Sequence, residues 1–187
     1  MSLCLTCLPG TLRRSPFGRR ELDTVMRAML IRADAADALI DLALLDDAAV
    51  QTLHEAALGC PGPTNILSFP ASDGAREQAD AAGPHGPGEA AGGQCAAFAG
   101  RPCADDEALA GAPAPTEREY IGSLALSVDT LRREAFLYGQ PVDEHAVRLL
   151  AHGLAHLLGY DHGPAMDALT ASLEEAGLAE AARLLQA

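Results

Sequence analysis

A regular apolar stripe near the C-terminal end of the chain constrains the fold more than any other feature. Between residues 142 and 158, apolar side chains recur at steps of three and four residues, the spacing that places them on one face of an α-helix. They are Val142, Ala146, Leu149, Leu150, Leu154, Leu157 and Leu158. Gly159 follows directly and suits the left-handed position that ends many helices. The sequence therefore predicts an amphipathic helix that packs against a core and ends in a sharp turn.

The end of this predicted helix carries histidines at the spacing of a metal site, in the stretch HGLAHLLGYDH. His152 and His156 are four residues apart, so they lie about 40° apart around the helix and about 6 Å apart along it. A turn at Gly159 can bring His162 back toward the same point. Three neutral imidazoles suit Zn²⁺ and leave a fourth position for water. We therefore predict that His152, His156 and His162 bind one zinc ion.

An open zinc site can generate a hydroxide nucleophile near neutral pH, but the sequence does not identify the catalytic base. Asp161 is the nearest carboxylate in sequence, and a local role in the turn is at least as plausible for it. We predict that the other histidines, His54, His85 and His145, face solvent and bind no metal. The spacing HxxxHxxGxxH also occurs in zinc proteases, whose catalytic glutamate follows the first histidine. Gly153 stands at that position here, which disfavours proteolysis.

The remaining pattern predicts an α+β fold with about four strands and about five helices, because strands and helices do not alternate strictly. The predicted strands are residues 3–8, 38–45, 65–69 and 121–128. The predicted helices are residues 17–31, 46–58, 129–137 and 142–158, followed by a last helix or helix pair over residues 165–185. A length of 187 residues fits one domain. We predict a single domain over residues 1–187.

Residues 72–118 differ from the rest of the chain in composition. Alanine, glycine and proline supply more than half of them, and no hydrophobic period is sustained. Such a segment buries too little apolar surface to offset the loss of chain entropy. Because a strand-like run resumes at Ile121, we interpret residues 72–118 as a flexible insertion within one domain.

Charge, cysteine content and the first residues bear on location and partners. The net charge is −13 and every basic residue is arginine. Two clusters, one at residues 13–20 and one at Arg132 and Arg133, are predicted to be solvated, although arginine can also clamp phosphates. The first residues are apolar and then basic, the reverse of a signal peptide, and no apolar run is long enough for a membrane. With an odd number of cysteines, we expect a cytoplasmic protein with free thiols.

Three blocks of the sequence resemble one family. The stretch HGLAHLLGYDH at residues 152–162 resembles the signature of the YbeY family of bacterial endoribonucleases, which is close to HGxLHLxGYDH. PTNILSFP at residues 63–70 resembles that family's PTDVLSFP or PTNVLSFP. IGSLALSVDTLRREA at residues 121–135 resembles its LGDIVISxDxAxxxA region. The blocks stand in family order and, with the flanking helices, cover about two-thirds of the chain.

The resemblance implies a single α+β domain with a mixed sheet flanked by helices, and one zinc ion on His152, His156 and His162. It also implies a metal-dependent endoribonuclease, a hydrolase that acts on single-stranded RNA. The expected role is 3′-end maturation of 16S rRNA and ribosome quality control, with the small ribosomal subunit and its proteins as partners.

Two positions depart from the family pattern. Leu58 stands where the family usually has an arginine, and Ser123 replaces the aspartate of LGD. We expect both changes to weaken catalysis, through loss of a phosphate clamp and of an acceptor for a ligand histidine. The alternative function is therefore a ribosome-assembly binding factor whose metal is mainly structural.

Overall fold

The computed structural model describes residues 3–59, 61–62, 64–71, 119–184 and 186. Its strands are β1 (Leu3–Cys7), β2 (Leu39–Leu45), β3 (Ile66–Pro70) and β4 (Tyr120–Ser127). Its helices are α1 (Thr11–Arg14), α2 (Arg19–Arg32), α3 (Asp47–Leu58), α4 (Val128–Tyr138), α5 (Val142–Leu157) and α6 (Pro164–Leu184). The predicted insertion at residues 72–118 and His85 lie outside the described residues.

The four strands form one mixed sheet in the order β1-β2-β4-β3. The first three strands of that order run parallel, and β3 pairs antiparallel with β4 at the edge. The prediction of an α+β fold with a four-stranded mixed sheet is confirmed. The described residues contain six helices rather than about five because the four-residue α1 has no apolar period of its own. The expected final helix or helix pair is one continuous helix, α6.

Helices cover both faces of the sheet. Alternate residues of each strand point to opposite faces, so Leu42 and Leu124 pack into the larger core with α2, α5 and α6. Ala43 and Ala125 point the other way and pack with α3. The sheet thus separates two hydrophobic clusters: α5 packs against one of its faces and α3 against the other.

A polar network joins the beginnings of α3 and α4 at the C-terminal ends of β2 and β4. Asp47 accepts hydrogen bonds from Ser127 Oγ (2.5 Å), Thr130 Oγ1 (2.7 Å) and Arg133 (2.9 Å). Burial alone would raise the pKa of Asp47, but these hydrogen bonds and the charge of Arg133 outweigh it and lower that pKa to about 2. Asp129 was expected to open α4; instead Ser127 caps the helix by accepting from Thr130 N, and Asp129 pairs with Arg14.

Cys7 is a free thiol, but Cys4 is disulfide-bonded. The expectation of free thiols is therefore wrong for Cys4, because an odd number of cysteines excludes complete pairing but not a single bond. Among the described residues, none of the helices has the length and apolar character needed to cross a membrane.

Candidate metal centre

The three histidines of the motif meet at the junction of α5 and α6. His152 and His156 lie one turn apart in the last half of α5, and His162 lies in the connection just before α6. One nitrogen from each ring falls within 4.8 Å of the other two. The ring centroids are 4.8 Å apart for His152 and His156, 4.8 Å for His156 and His162, and 5.6 Å for His152 and His162. The three rings therefore converge as the spacing predicted.

A glycine turn carries His162 back toward α5. Gly159 has φ of 85°, a conformation that costs glycine little and other residues much more. Its N–H donates to the carbonyl of His156 (3.0 Å), and the N–H of Tyr160 donates to that of Ala155 (3.1 Å). These two bonds define a Schellman motif. The turn thus satisfies the last carbonyls of the helix and fixes the direction in which the chain reaches His162.

One contact favours a particular tautomer of His156. Its Nδ1 lies 3.1 Å from the carbonyl oxygen of Tyr160. A carbonyl only accepts, so in the neutral ring this contact favours the proton on Nδ1 and leaves the lone pair of Nε2 free. Metal-binding histidines are commonly oriented by such a bond to the other nitrogen. The donor set and this tautomer fit a divalent ion such as Zn²⁺.

The surroundings of His152 favour its neutral form. Burial, followed by the proximity of His156 and His162, lowers the pKa of His152 below its usual value, while Asp167 opposes that shift. Only a neutral imidazole binds a metal. Asp167 lies in the first turn of α6, and sequence reasoning did not single it out.

A cavity of about 360 Å³ opens beside His152 between α5 and α6. It is lined by Arg148, Leu149, His152, Asp167, Thr170, Ala171 and Glu174. Arg148 spans its rim, donating to Glu174 (3.1 Å) and to Gln140 (3.0 Å). The histidine cluster therefore has a cavity of ligand size next to it, with a carboxylate, Asp167, in the same wall.

The position after the first histidine faces the sheet. A Cβ on Gly153 would lie 2.9 Å from Ile66 Cδ1 and 2.9 Å from Leu124 Cδ2, closer than packed carbon atoms approach. Ser68 Oγ also donates to the carbonyl of Gly153 (3.2 Å). The glycine thus allows α5 to approach β3 and β4 closely, and a protease-type glutamate has no room there.

Several residues weighed from the sequence are not part of the histidine cluster. Asp161 is exposed and forms no hydrogen bond or ion pair within the described part of the chain. Leu58 is 63% exposed at the end of α3. Ser123 lies on the face of β4 opposite to Leu124 and α5, where its hydroxyl contacts Tyr120 Oη (2.6 Å). Ser123 therefore does not contact the ligand histidines, because strand alternation turns it to the other face of the sheet.

The remaining histidines differ in their surroundings. His54 is partly exposed, and its Nδ1 lies 2.9 Å from the carbonyl of Gly62. His145 was expected to face solvent, which is wrong: it is only 4% exposed. Its Nε2 lies 3.0 Å from Glu134, because α4 packs over the beginning of α5. Asn65 donates to the same carboxylate (3.2 Å).

Comparison with known proteins identifies sequences and a structure that this chain resembles. The model of the family described as "Endoribonuclease YbeY" matches residues 17–180. The "Endoribonuclease YbeY" of Nitratidesulfovibrio vulgaris is 44% identical over 89% of this chain and 88% of its own length. That of Oleidesulfovibrio alaskensis is 37% identical over 96% and 95%.

Among solved structures, the fold is similar to the solution structure of TM1509 from Thermotoga maritima. The TM-score is 0.52 at 14% identity, over 95% of this chain and 91% of that one. Identity this low supports the fold alone, whereas the family match and the two relatives carry the assignment. The chain therefore belongs to the endoribonuclease YbeY family.

Proposed function

We propose that this protein is a zinc-dependent endoribonuclease that cuts single-stranded RNA during 3′-end maturation of 16S rRNA and ribosome quality control. Membership of the endoribonuclease YbeY family supports a hydrolase with an RNA substrate. The observation that carries the metal dependence is the convergence of His152, His156 and His162 within 4.8 Å. We expect the cytoplasm as its location and the small ribosomal subunit as its setting.

In this proposal each residue of the centre has a distinct task. Zinc, when bound, supplies a Lewis acid and lowers the pKa of a water ligand. His156 presents Nε2 because the Tyr160 carbonyl holds its other nitrogen. Asp167 lies in the same cavity wall as His152 and is placed to accept a proton from an attacking water. The cavity between α5 and α6 is open to the substrate.

The first experiment is elemental analysis of the purified protein beside His156→Ala and His54→Ala. We expect about one zinc per chain in the native protein and in His54→Ala, and none in His156→Ala. His54→Ala is the matched control, since it removes an imidazole outside the cluster. Full metal content in His156→Ala would contradict the proposed ligand set.

The second experiment measures cleavage of a single-stranded RNA by the same three proteins. We expect chelation and His156→Ala to stop cleavage and added zinc to restore it in the native protein. Cleavage that persists in His156→Ala would point to a contaminating nuclease and not to this centre.

The exposed Leu58 favours the alternative function, a ribosome-assembly binding factor, because a hydrophobic side chain there offers no charge to a phosphate. A ribosome-assembly binding factor with a structural metal would sediment with ribosomal subunits and unfold on chelation, yet leave RNA intact. Leu58→Arg separates the cases: a rise in cleavage would identify a weakened enzyme, whereas an unchanged absence of cleavage would favour the binding factor.

A further inference from the structure

We propose that the solvent face of α4 is a second RNA contact, separate from the metal centre, which holds single-stranded RNA by one stacking aromatic and a group of arginines. We define this α4 platform as Arg132, Arg133 and Phe136 of α4 with Arg14 of α1. It rests on the proposed function only in the choice of RNA as ligand.

The platform residues of α4 lie on one stripe. Asp129, Arg132, Arg133 and Phe136 follow the spacing i, i+3, i+4, i+7, which aligns them along one side of a helix. The opposite side of α4 is buried through Val128, Leu131 and Ala135. Phe136 is therefore directed into solvent, and at 85% it is the most exposed of the large hydrophobic side chains in the described residues.

The fold brings together two arginine clusters that are far apart in sequence. Arg132 donates to the backbone carbonyl of Arg14 (3.1 Å), and Arg14 pairs with Asp129. Arg133 pairs with Asp47. Arg132 has no carboxylate partner within the part of the chain that the structure describes, and neither has Arg13, the exposed neighbour of Arg14 in sequence. In a chain with a net charge of −13, this face therefore presents a local excess of guanidinium groups.

The chemistry of the platform favours RNA over a protein partner. Bases stack on aromatic rings and arginine planes, and guanidinium groups bind phosphates. A protein interface usually centres on a contiguous apolar patch. Leu137 and Tyr138 are also exposed, but they lie about 100° and 200° further around the helix than Phe136, and the Tyr138 ring is 5.8 Å from that of His145. The neighbours of Phe136 along its own stripe are Arg132 and Arg133.

The platform lies well away from the histidine cluster. α4 meets α5 at His145, where Glu134 contacts the imidazole. His145 precedes His156 by eleven residues, about 16 Å along α5, and the platform lies on the far side of α4. A short oligonucleotide cannot reach both places. A longer strand can occupy both places at once, so the platform raises its affinity more than that of a short strand.

The test is binding of fluorescein-labelled uridylate 20-mers and 4-mers to the full-length protein carrying His156→Ala, so that cleavage does not interfere. In that background we expect Phe136→Ala and Arg132→Ala each to weaken binding of the 20-mer roughly fivefold or more. Binding of the 4-mer should weaken less than binding of the 20-mer. Arg132→Ala should also lower the slope of log affinity against log salt by about 0.7. Ile31→Ala and Arg27→Ala, at exposed positions of α2, are the matched controls.

The outcomes separate this inference from the proposed function. Loss of 20-mer affinity in the platform variants supports the platform even if the native protein cuts no RNA. If the native protein cuts RNA and neither platform variant changes the 20-mer affinity, the platform is overturned, whereas the proposed enzyme function stands. Unchanged RNA affinity together with loss of co-sedimentation with ribosomal subunits in Phe136→Ala would identify a protein partner instead and also overturn the proposal.

Discussion

At the scale of single residues, the sequence predicted the three histidines of the cluster but not the neighbouring Asp167. His152, His156 and His162 follow from helical spacing and one glycine turn, so their convergence was predictable. Asp167 approaches His152 only because α6 packs along α5, a tertiary contact that no local pattern encodes. The burial of His145 escaped prediction for the same reason, since it depends on α4.

Asp167 can be tested by removing its charge at almost constant shape. We expect Asp167→Asn to lower the rate of RNA cleavage roughly 100-fold, the order of magnitude for a lost proton acceptor, with metal content unchanged. Rates and elemental analysis of Asp167→Asn and of Asp161→Asn make the comparison. Asp161 is an exposed carboxylate near the histidines in sequence, so its variant should keep native activity; equal losses in both would reject a specific role for Asp167.

At the scale of helices and strands, hydrophobic periodicity and capping residues predict most element boundaries, whereas they do not predict the order of the strands in the sheet. Asp46 caps α3 and Gly59 ends it, which agrees with the helix predicted over residues 46–58. The order β1-β2-β4-β3 depends on pairings between distant segments. Tertiary packing places α5 on one face of β4, and strand alternation turns Ser123 to the other face, so Ser123 makes no contact with the three histidines.

The turn after α5 provides a prediction about the metal. Gly159→Ala forces a Cβ into a left-handed conformation and should destabilise the fold by about 1 kcal/mol while reducing zinc affinity, because His162 follows that turn. Gly139→Ala is the control, since Gly139 ends α4 at φ of 63° away from the histidines. Denaturation and zinc titration of both variants check this; equal zinc affinity in the two would show that His162 does not depend on the turn.

The network at the start of α3 and α4 predicts a pH dependence. The pKa of Asp47 is about 2 in the folded chain, against 3.8 ordinarily. Its contribution to the free energy of unfolding is therefore fully present above about pH 4 and is lost as the pH falls toward 2. We expect Asp47→Asn to cost about 1 kcal/mol at pH 7, since the site is partly exposed.

Urea denaturation at a series of pH values measures this difference. The gap in stability between the native protein and Asp47→Asn should narrow as the pH falls below 4. A gap that stays constant down to pH 2.5 would mean that the Asp47 charge is not the stabilising element.

At the scale of the whole molecule, a metal on the proposed centre would couple α5 to the start of α6 and so to the larger core. An ion that binds only the folded chain stabilises it by about 2.7 kcal/mol when present at 100 times its dissociation constant. For a chain of this size that corresponds to a rise in Tm of roughly 5 to 10 °C.

Thermal unfolding of metal-free protein with and without added zinc checks that coupling. The rise in Tm should appear in the native protein and in His54→Ala and be absent in His156→Ala. An equal rise in all three would place the stabilising zinc elsewhere on the chain.

The pairing of β3 with β4 has a consequence for how this chain tolerates change in length. Pro70 and Gly122 are partners across the two strands, and the N–H of Ala71 donates to the carbonyl of Ile121 (3.0 Å). The two ends of the segment between them are thus already fastened together. The entropy of closing a loop grows only slowly with its length, so lengthening or trimming residues 72–118 leaves the strand register intact. We expect this position to serve as an insertion site, where a reporter or affinity tag can be added without disturbing the histidines.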